Sequence, residues 1–332
     1  MSQSSAVPPF FFHLLADRRG KPRALLIDVD GAGCAPALRE QVGEPAFVAL
    51  GQRITGLFHA DIDGALAAAL EQAGWKPMAP QSLYRAGDAN FAAALPAAAL
   101  WIGGDWCLAP PPQQPAGQSA SRALALQLVQ LVAADADNHE IEALLRRDPT
   151  LSYNLLRLVN SLGVGVMGRR ITSFSQAIMI LGRQQLRRWL NLMLFSARAG
   201  DARSVMLLAR VTMRARTLEL LARIGGLDKA TQEQSFMAGM FSLIGALFGM
   251  PLAEVLAPLA LSPALSGALL RREGELGAML ALVETAERGD MAALAQMLEQ
   301  MQLSATEFND VMVEAADWML DTLRDNQAGG HA

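Results

Sequence analysis

A proline-rich run near residue 110 constrains the fold of this sequence more than any other feature. Residues 109–119 read APPPQQPAGQS, and this run cannot form a helix or a central strand because each proline fixes φ and lacks a backbone donor. The sequence therefore predicts a linker at residues 110–119 between a module at residues 1–109 and a domain at residues 120–325. With 332 residues, of which 52% are hydrophobic, the chain can bury a large core, which excludes a disordered chain or a disulfide scaffold.

The pattern after the linker is helical. Asp148 and Pro149 suit an N-cap and a first helical position, and Leu151, Leu155 and Leu158 continue this helix as an apolar stripe. Further helices are predicted over residues 138–147, 173–181, 183–197, 201–224, 231–249, 278–287, 291–301 and 306–323.

The first part of the chain has a different pattern. Arg23–Val29 is a short apolar run typical of a buried strand, Asp63–Gly74 is an alanine-rich helix ended by glycine, and Phe91–Cys107 is mixed. We therefore predict a mostly α protein, in which a small α/β N-terminal module precedes an all-helical domain.

Charge is distributed unevenly along the helical part. Residues 146–223 carry 14 basic side chains, all arginine, and 3 acidic ones, whereas residues 224–332 carry 5 basic and 15 acidic ones. The arginines could pair with the acidic tail, within the chain or in a second copy, or bind an acidic partner or a nucleotide. Nucleic acid is disfavoured, since no DNA- or RNA-binding signature accompanies them. The candidate interaction face comprises Arg183, Arg187, Arg188, Arg203, Arg210 and Arg214.

Location is predicted from the cysteines and the apolar runs. Two cysteines, Cys34 and Cys107, fit a reducing compartment and have no metal-ligand spacing. The run Phe236–Ala253 has no charged residue, but glycines interrupt it, so a buried helix is favoured over a membrane span. We expect a cytoplasmic protein.

Several separated strings resemble the HDOD family in the order that the family has them. They are DPTLSYNLLRLVNS from residue 148, ITSFSQAIMILG from residue 171, Trp189, and FMAGMFSLIG from residue 236. The matching motif positions are Asp148, Pro149, Leu151, Asn160, Ser161, Gly182 and Trp189. The resemblance implies an all-helical regulatory domain, related to the HD phosphohydrolases, that acts by binding other proteins.

The resemblance also bears on metal chemistry. Ser242 and Leu243 stand where an HD hydrolase has its metal-binding His-Asp pair, and a hydroxyl and a hydrocarbon are poor substitutes for imidazole and carboxylate. We therefore expect a vestigial pocket, no metal, no cofactor and no enzymatic activity.

The string from Phe236 is similar to the version found in HDOD proteins that also carry an EAL domain, a cyclic di-GMP phosphodiesterase barrel. About 110 residues cannot close an eightfold β/α barrel, which needs about 200. The N-terminal module is therefore either a shortened EAL remnant or an unrelated unit.

An enzymatic alternative lies in the N-terminal module. Asp28, Asp30 and Gly31 follow the predicted strand as DVDG, an arrangement that resembles the nucleophile and acid/base pair of haloacid-dehalogenase-type phosphatases. A strand followed by an Asp-Gly turn explains the same residues without chemistry. The second acidic pair that would hold Mg²⁺ is missing, since Ala92 stands four residues after Asp88.

Overall fold

The computed structural model describes residues 7–29, 36–88, 90–110, 127–128, 130–131, 134, 136–146, 188, 202–257, 259 and 261–328. The linker predicted at residues 110–119 lies almost entirely outside these ranges. The same holds for all seven HDOD motif positions from Asp148 to Trp189. The domain boundaries at residues 109 and 120 stay a prediction.

The N-terminal part contains a six-stranded sheet in the order β4-β3-β2-β1-β6-β5. Strand β2 pairs antiparallel with β1 and parallel with β3, while β1 pairs antiparallel with β6. The strands are β1 (Phe10–Ala16), β2 (Pro22–Val29), β3 (Thr55–Phe58), β4 (Lys76–Pro77), β5 (Leu83–Arg85) and β6 (Trp101–Gly103). The predicted strand at residues 23–29 is confirmed as β2, and the prediction missed β1, whose sequence FFFHLLA is apolar on both faces.

Three short helices accompany the sheet: α1 (Pro36–Val42), α2 (Pro45–Arg53) and α3 (Gly64–Gln72). The predicted helix from residue 63 is confirmed as α3, which begins where the Asp63 carboxylate accepts the backbone N–H groups of Ala65 and Leu66. Trp75 stacks on Phe12 and Phe47, with ring centroids 5.4 and 4.9 Å apart. These rings fix the helices to one side of the sheet, and the α/β module is confirmed in outline.

The C-terminal part is helical throughout the residues described. Its helices are α4 (Asn138–Arg146), α5 (Ala202–Ile224), α6 (Lys229–Ser242), α7 (Ile244–Phe248), α8 (Leu252–Leu256), α9 (Pro263–Arg271), α10 (Gly274–Glu287), α11 (Met291–Gln300) and α12 (Ala305–Ala328). Helix α5 packs along α6 and α12, and α9 packs along α10. The mostly helical class is confirmed.

The long helix predicted over residues 231–249 is wrong in its second half. The chain leaves α6 at Leu243, where the Ser242 hydroxyl donates to the carbonyl of Gly239 at 2.7 Å. Helix α7 then ends at Gly249, which adopts a left-handed conformation with φ of 61°. The uncharged run Phe236–Ala253 is therefore divided among three helices. Among the residues described, no helix is long and apolar enough to cross a membrane.

The sheet and the helical part share one hydrophobic core. Phe10 and Phe12 of β1, Phe47 of α2, and Phe308 and Met312 of α12 belong to a single cluster of buried side chains. Helix α12 packs against both α2 and β1. The two parts are therefore joined by apolar contact, whatever the path of the chain between residues 110 and 127.

Candidate functional site

A buried ion pair joins helices α5 and α10. The Arg214 side chain is 4% exposed and donates from Nε to Oε1 of Glu287 at 2.8 Å, with a second bond from Nη2 to Oε2. Arg210, one turn earlier, also contacts Glu287 and donates from Nη1 to Oδ1 of Asp105 at 2.7 Å. Because Asp105 follows β6, this chain of contacts links the sheet to two helices.

The electrostatics of Glu287 follow from this arrangement. Burial by itself would raise the pKa of the carboxyl group, because it penalises the charged form. The guanidinium groups of Arg214 and Arg210 outweigh burial and lower the pKa of Glu287 to about 2. Glu287 is therefore a carboxylate at neutral pH and offsets part of the positive charge of Arg214 and Arg210.

Ser242, a residue of the predicted vestigial metal pocket, lies in the same cluster. Its Oγ accepts a hydrogen bond from Nη1 of Arg214 at 2.8 Å, and the neighbouring Leu243 side chain is buried. A metal ion at this hydroxyl would meet a positive guanidinium, which opposes its binding. No group of three or more His, Cys, Asp or Glu side chains that could hold a metal occurs in the part of the chain that the structure covers. The absence of a metal from the whole chain stays a prediction.

Four of the six arginines of the candidate interaction face have partners within this chain, which is one of the alternatives that the sequence left open. Arg188 is 13% exposed and donates to Glu219 at 2.6 Å and to Glu233 at 2.8 Å. Arg203 is buried and donates to the carbonyl of Ala109 at 2.8 Å. Arg210 and Arg214 bind Glu287 as described above. A buried guanidinium needs a partner within the protein, so these four arginines face carboxylates and carbonyls of this chain. Arg183 and Arg187 lie outside the described residues.

A cleft of about 400 Å³ lies between the sheet and helices α5 and α10. We call it the sheet–helix cleft. Its floor is apolar, with Leu15, Leu26 and Leu83 from three strands and Val283 from α10. Its titratable residues are His13, Arg85, Asp105, Arg210, Arg214, Glu287 and Arg288. The buried ion pair thus forms one wall of the cleft.

The phosphatase alternative depends on Asp28, which lies near the end of β2. The Asp28 carboxylate is 3.0 Å from Nε2 of His13 across the β1–β2 pair. The backbone of Gly289 approaches this pair, since a Cβ added to Gly289 would lie 3.2 Å from Oδ2 of Asp28. Asp30 and Gly31 lie outside the described residues. The carboxylate of Asp28 is therefore engaged by an imidazole, and the structure brings no second carboxylate beside it in the ranges it covers.

Sequence reasoning missed His13, Arg85 and Arg288 as cleft residues. One signal was available for His13, because it is the single polar residue in the strand Phe10–Ala16. Arg85 and Arg288 are far apart in the sequence. Both line the cleft because α10 packs against β1.

Comparison with known proteins finds relatives of part of this chain. Two curated relatives are each 31% identical to this chain. The cyclic di-GMP phosphodiesterase CdgJ of Vibrio cholerae matches over 62% of this chain and 47% of its own length. The uncharacterized protein YuxH of Bacillus subtilis matches over 52% of this chain and 42% of its own length. The chain thus spans about half the length of these relatives. One solved structure is that of a Shewanella amazonensis protein named as a proposed phosphohydrolase. It superposes on this chain with a TM-score of 0.39 and 16% identity, and the match covers 65% of this chain and 94% of that one.

The name of the Vibrio relative corrects one expectation. Sequence analysis predicted that this chain is not an enzyme, from the loss of the metal-binding pair at Ser242 and Leu243. A relative that is 31% identical over 207 residues is named a cyclic di-GMP phosphodiesterase, which contradicts that prediction. Loss of one metal pair bears only on chemistry at that pair, and it says nothing of activity elsewhere in the molecule.

The family resemblance itself is confirmed. Residues 121–261 match the HDOD domain family, and both curated relatives match this chain over more than half of its length. The chain therefore contains an HDOD domain, preceded by the sheet module.

Proposed function

We propose that this chain is a signalling protein that acts in the control of cyclic di-GMP. Its HDOD domain at residues 121–261 and the name of the Vibrio relative support the proposal. The observation that carries it is the 31% identity, over 207 residues, to a relative that is named a cyclic di-GMP phosphodiesterase.

Two kinds of contact join the sheet module to the helical part. The shared core buries Phe10 and Phe308 together, and Arg210 bridges Asp105 beside the sheet and Glu287 on α10. A change at the sheet therefore reaches α5 and α10 through a charged contact as well as through packing. The proposal assigns this coupling to the transmission of the signal.

The output of the helical part is proposed to be contact with a regulatory protein or with a second copy of the chain. Of the six arginines predicted for such a face, only Arg183 and Arg187 remain candidates, because the other four are engaged internally. A pull-down that compares the wild type with an Arg183→Glu, Arg187→Glu variant tests this surface. Equal capture of a partner by both proteins would contradict a role of Arg183 and Arg187 in this contact.

The experiment for the main proposal measures cyclic di-GMP in a bacterial host that carries a reporter for this nucleotide. Production of the chain should lower the reporter signal. Arg210→Gln, which removes the bridge between Asp105 and Glu287, should weaken the effect, whereas Arg39→Gln, an exposed change on α1, should not. Unchanged cyclic di-GMP with well-folded wild-type protein would refute the proposal.

A second measurement locates the hydrolytic step. The purified chain is incubated with cyclic di-GMP and divalent cations, and the linear dinucleotide is quantified. Turnover by the purified chain assigns hydrolysis to this polypeptide. A lowered cellular level without turnover in the tube assigns hydrolysis to a protein that this chain controls.

A further inference from the structure

The sheet–helix cleft has the construction of a ligand site. Its volume of about 400 Å³ lies at the lower end of the range of about 300–1,000 Å³ for small-molecule pockets. The apolar side chains Leu15, Leu26, Leu83 and Val283 line it together with seven titratable side chains, four of them arginine. Such a combination binds the apolar body of a ligand on the floor and orients its polar groups at the rim.

Two arginines at the rim have positive charges that the described residues do not neutralise. Arg85, at the end of β5, and Arg288, directly after α10, are both exposed. Neither forms a salt bridge with any residue in the described ranges, and Arg288 donates only to the hydroxyl of Thr285, at 2.8 Å. The chain as a whole has a formal charge of −4, so this local positive charge runs against the overall balance.

A third arginine, Arg210 in the wall of the cleft, has one partner that a ligand could replace. Arg210 donates to Asp105, whose side chain is 73% exposed, and to Glu287, whose side chain is 13% exposed. The exposed bond to Asp105 contributes little stability because solvent screens it. An anion that enters the cleft can therefore replace Asp105 on Arg210 while Glu287 keeps its place.

We propose that the sheet–helix cleft is a binding site for a small organic anion, a phosphate ester with an apolar or aromatic body of the size of a nucleoside monophosphate. Arginine suits this ligand class because its planar guanidinium donates two parallel hydrogen bonds to a phosphate group. Arg85 and Arg288 hold the phosphate, Arg210 exchanges its bond to Asp105 for one to the ligand, and the leucine floor packs against the body. This ligand site is additional to the function proposed above and does not depend on it.

Replacement of Asp105 by a ligand on Arg210 would change a contact between the two parts of the fold. The contact between Arg210 and Asp105 joins the helical part to the segment after β6, and a bound anion takes its place. Occupancy of the cleft thus alters the connection between the sheet module and α5. The site is placed where a small molecule can report its presence to the HDOD domain.

Calorimetric titration of the full chain with guanosine monophosphate tests the site. We expect saturable binding at one site per chain, weakened by added salt because the contacts are ionic. Arg85→Gln and Arg288→Gln should each lower the affinity about tenfold, the effect of one charge-assisted hydrogen bond. Asp105→Asn removes the carboxylate that competes with the ligand and should raise the affinity.

Controls separate this site from general anion attraction. Arg39→Gln removes another exposed arginine, outside the cleft, and should leave the affinity unchanged. Thermal melting of each variant establishes that it is folded. Equal weakening by Arg39→Gln, or no saturable binding of guanosine monophosphate by the folded wild type, would overturn the proposal. Inorganic phosphate that binds as tightly as the nucleotide would overturn the role of the apolar floor, and cyclic di-GMP that binds more tightly would overturn the size argument.

Discussion

The side-chain oxygen of Asn309 on helix α12 accepts a hydrogen bond from the backbone N–H of Phe10 at 2.8 Å. The two residues are 299 positions apart in the sequence. The amide group of Asn309 also donates to the carbonyl of Pro8 at 3.1 Å and to Oε1 of Gln41 at 2.9 Å. One fully buried amide thus fixes the start of the sheet and helix α1 to the last helix of the chain.

Replacement of this amide should destabilise the whole protein. Asn309→Ala leaves the buried backbone N–H of Phe10 and the buried side-chain oxygen of Gln41 without this partner. We expect the free energy of unfolding to fall by about 2–3 kcal/mol. Urea denaturation followed by circular dichroism measures the change. Gln296→Ala is the matched control, because it removes an exposed amide from α11 and should change stability by less than about 0.5 kcal/mol. Equal midpoints for the two variants would contradict the structural role of Asn309.

The buried pair of Glu287 with Arg214 predicts a specific loss of stability in acid. Because the folded-state pKa of Glu287 is lowered to about 2 from an ordinary value of 4.5, its contribution is present above pH 4.5 and is lost as the pH falls towards 2. Glu287→Gln should therefore be less stable than the wild type at pH 7, and the difference should shrink between pH 4.5 and 2.

Denaturant unfolding at a series of pH values measures this difference. The control is Glu275→Gln, an exposed carboxylate in the first turn of the same helix, for which we expect only a small difference at every pH. A Glu287→Gln difference that stays constant from pH 7 to pH 2 would show that the pair does not supply the acid sensitivity.

Close packing of α5 against α6 makes one glycine necessary. A Cβ added to Gly239 would lie 2.4 Å from Cα of Ala215, which is backbone and cannot move aside without a shift of the helix. We expect Gly239→Ala to lower the free energy of unfolding by about 1–3 kcal/mol. Gly64→Ala is the control, since no atom lies within 4 Å of the added Cβ and alanine is the better helix former. Thermal melting should rank Gly239→Ala well below Gly64→Ala, and the reverse order would refute the close approach.

The sequence predicted single helices and strands well, and it predicted contacts between residues distant in the sequence much less well. Strand β2 and the helices at residues 202–224, 291–300 and 305–328 carry their own periodicity and caps, and they were predicted nearly as they stand. Helix α8 was missed because five residues are too few for a clear periodicity. Helix α9 was missed although Ser262 and Pro263 provide an N-cap and a first helical position. Charge counts favoured pairing of the arginines with the acidic tail, but only the structure assigns Arg214 to Glu287 and Arg188 to Glu233.

The cleft shows why the candidate site could not be read from the sequence. Its walls come from residues near positions 13, 85, 105, 210 and 287, and nothing in the local pattern of any one segment indicates the others. Contacts of such long sequence separation are set by how the elements pack, and a single sequence gives periodicity and capping but no pairing of elements.

Cys107 provides the last prediction. Its thiol is buried beside Trp106, and burial raises the pKa of Cys107 although Arg210 opposes the shift. The thiolate is the reactive form, so in a Cys34→Ser background the folded protein should react with a thiol reagent such as DTNB at least about tenfold more slowly than the same protein in urea. A folded protein that reacts as fast as the unfolded one would place Cys107 at an accessible surface. Reaction at the slow rate would show that burial of the thiol outweighs the opposing effect of Arg210, whose Nη1 lies 3.8 Å from the sulfur.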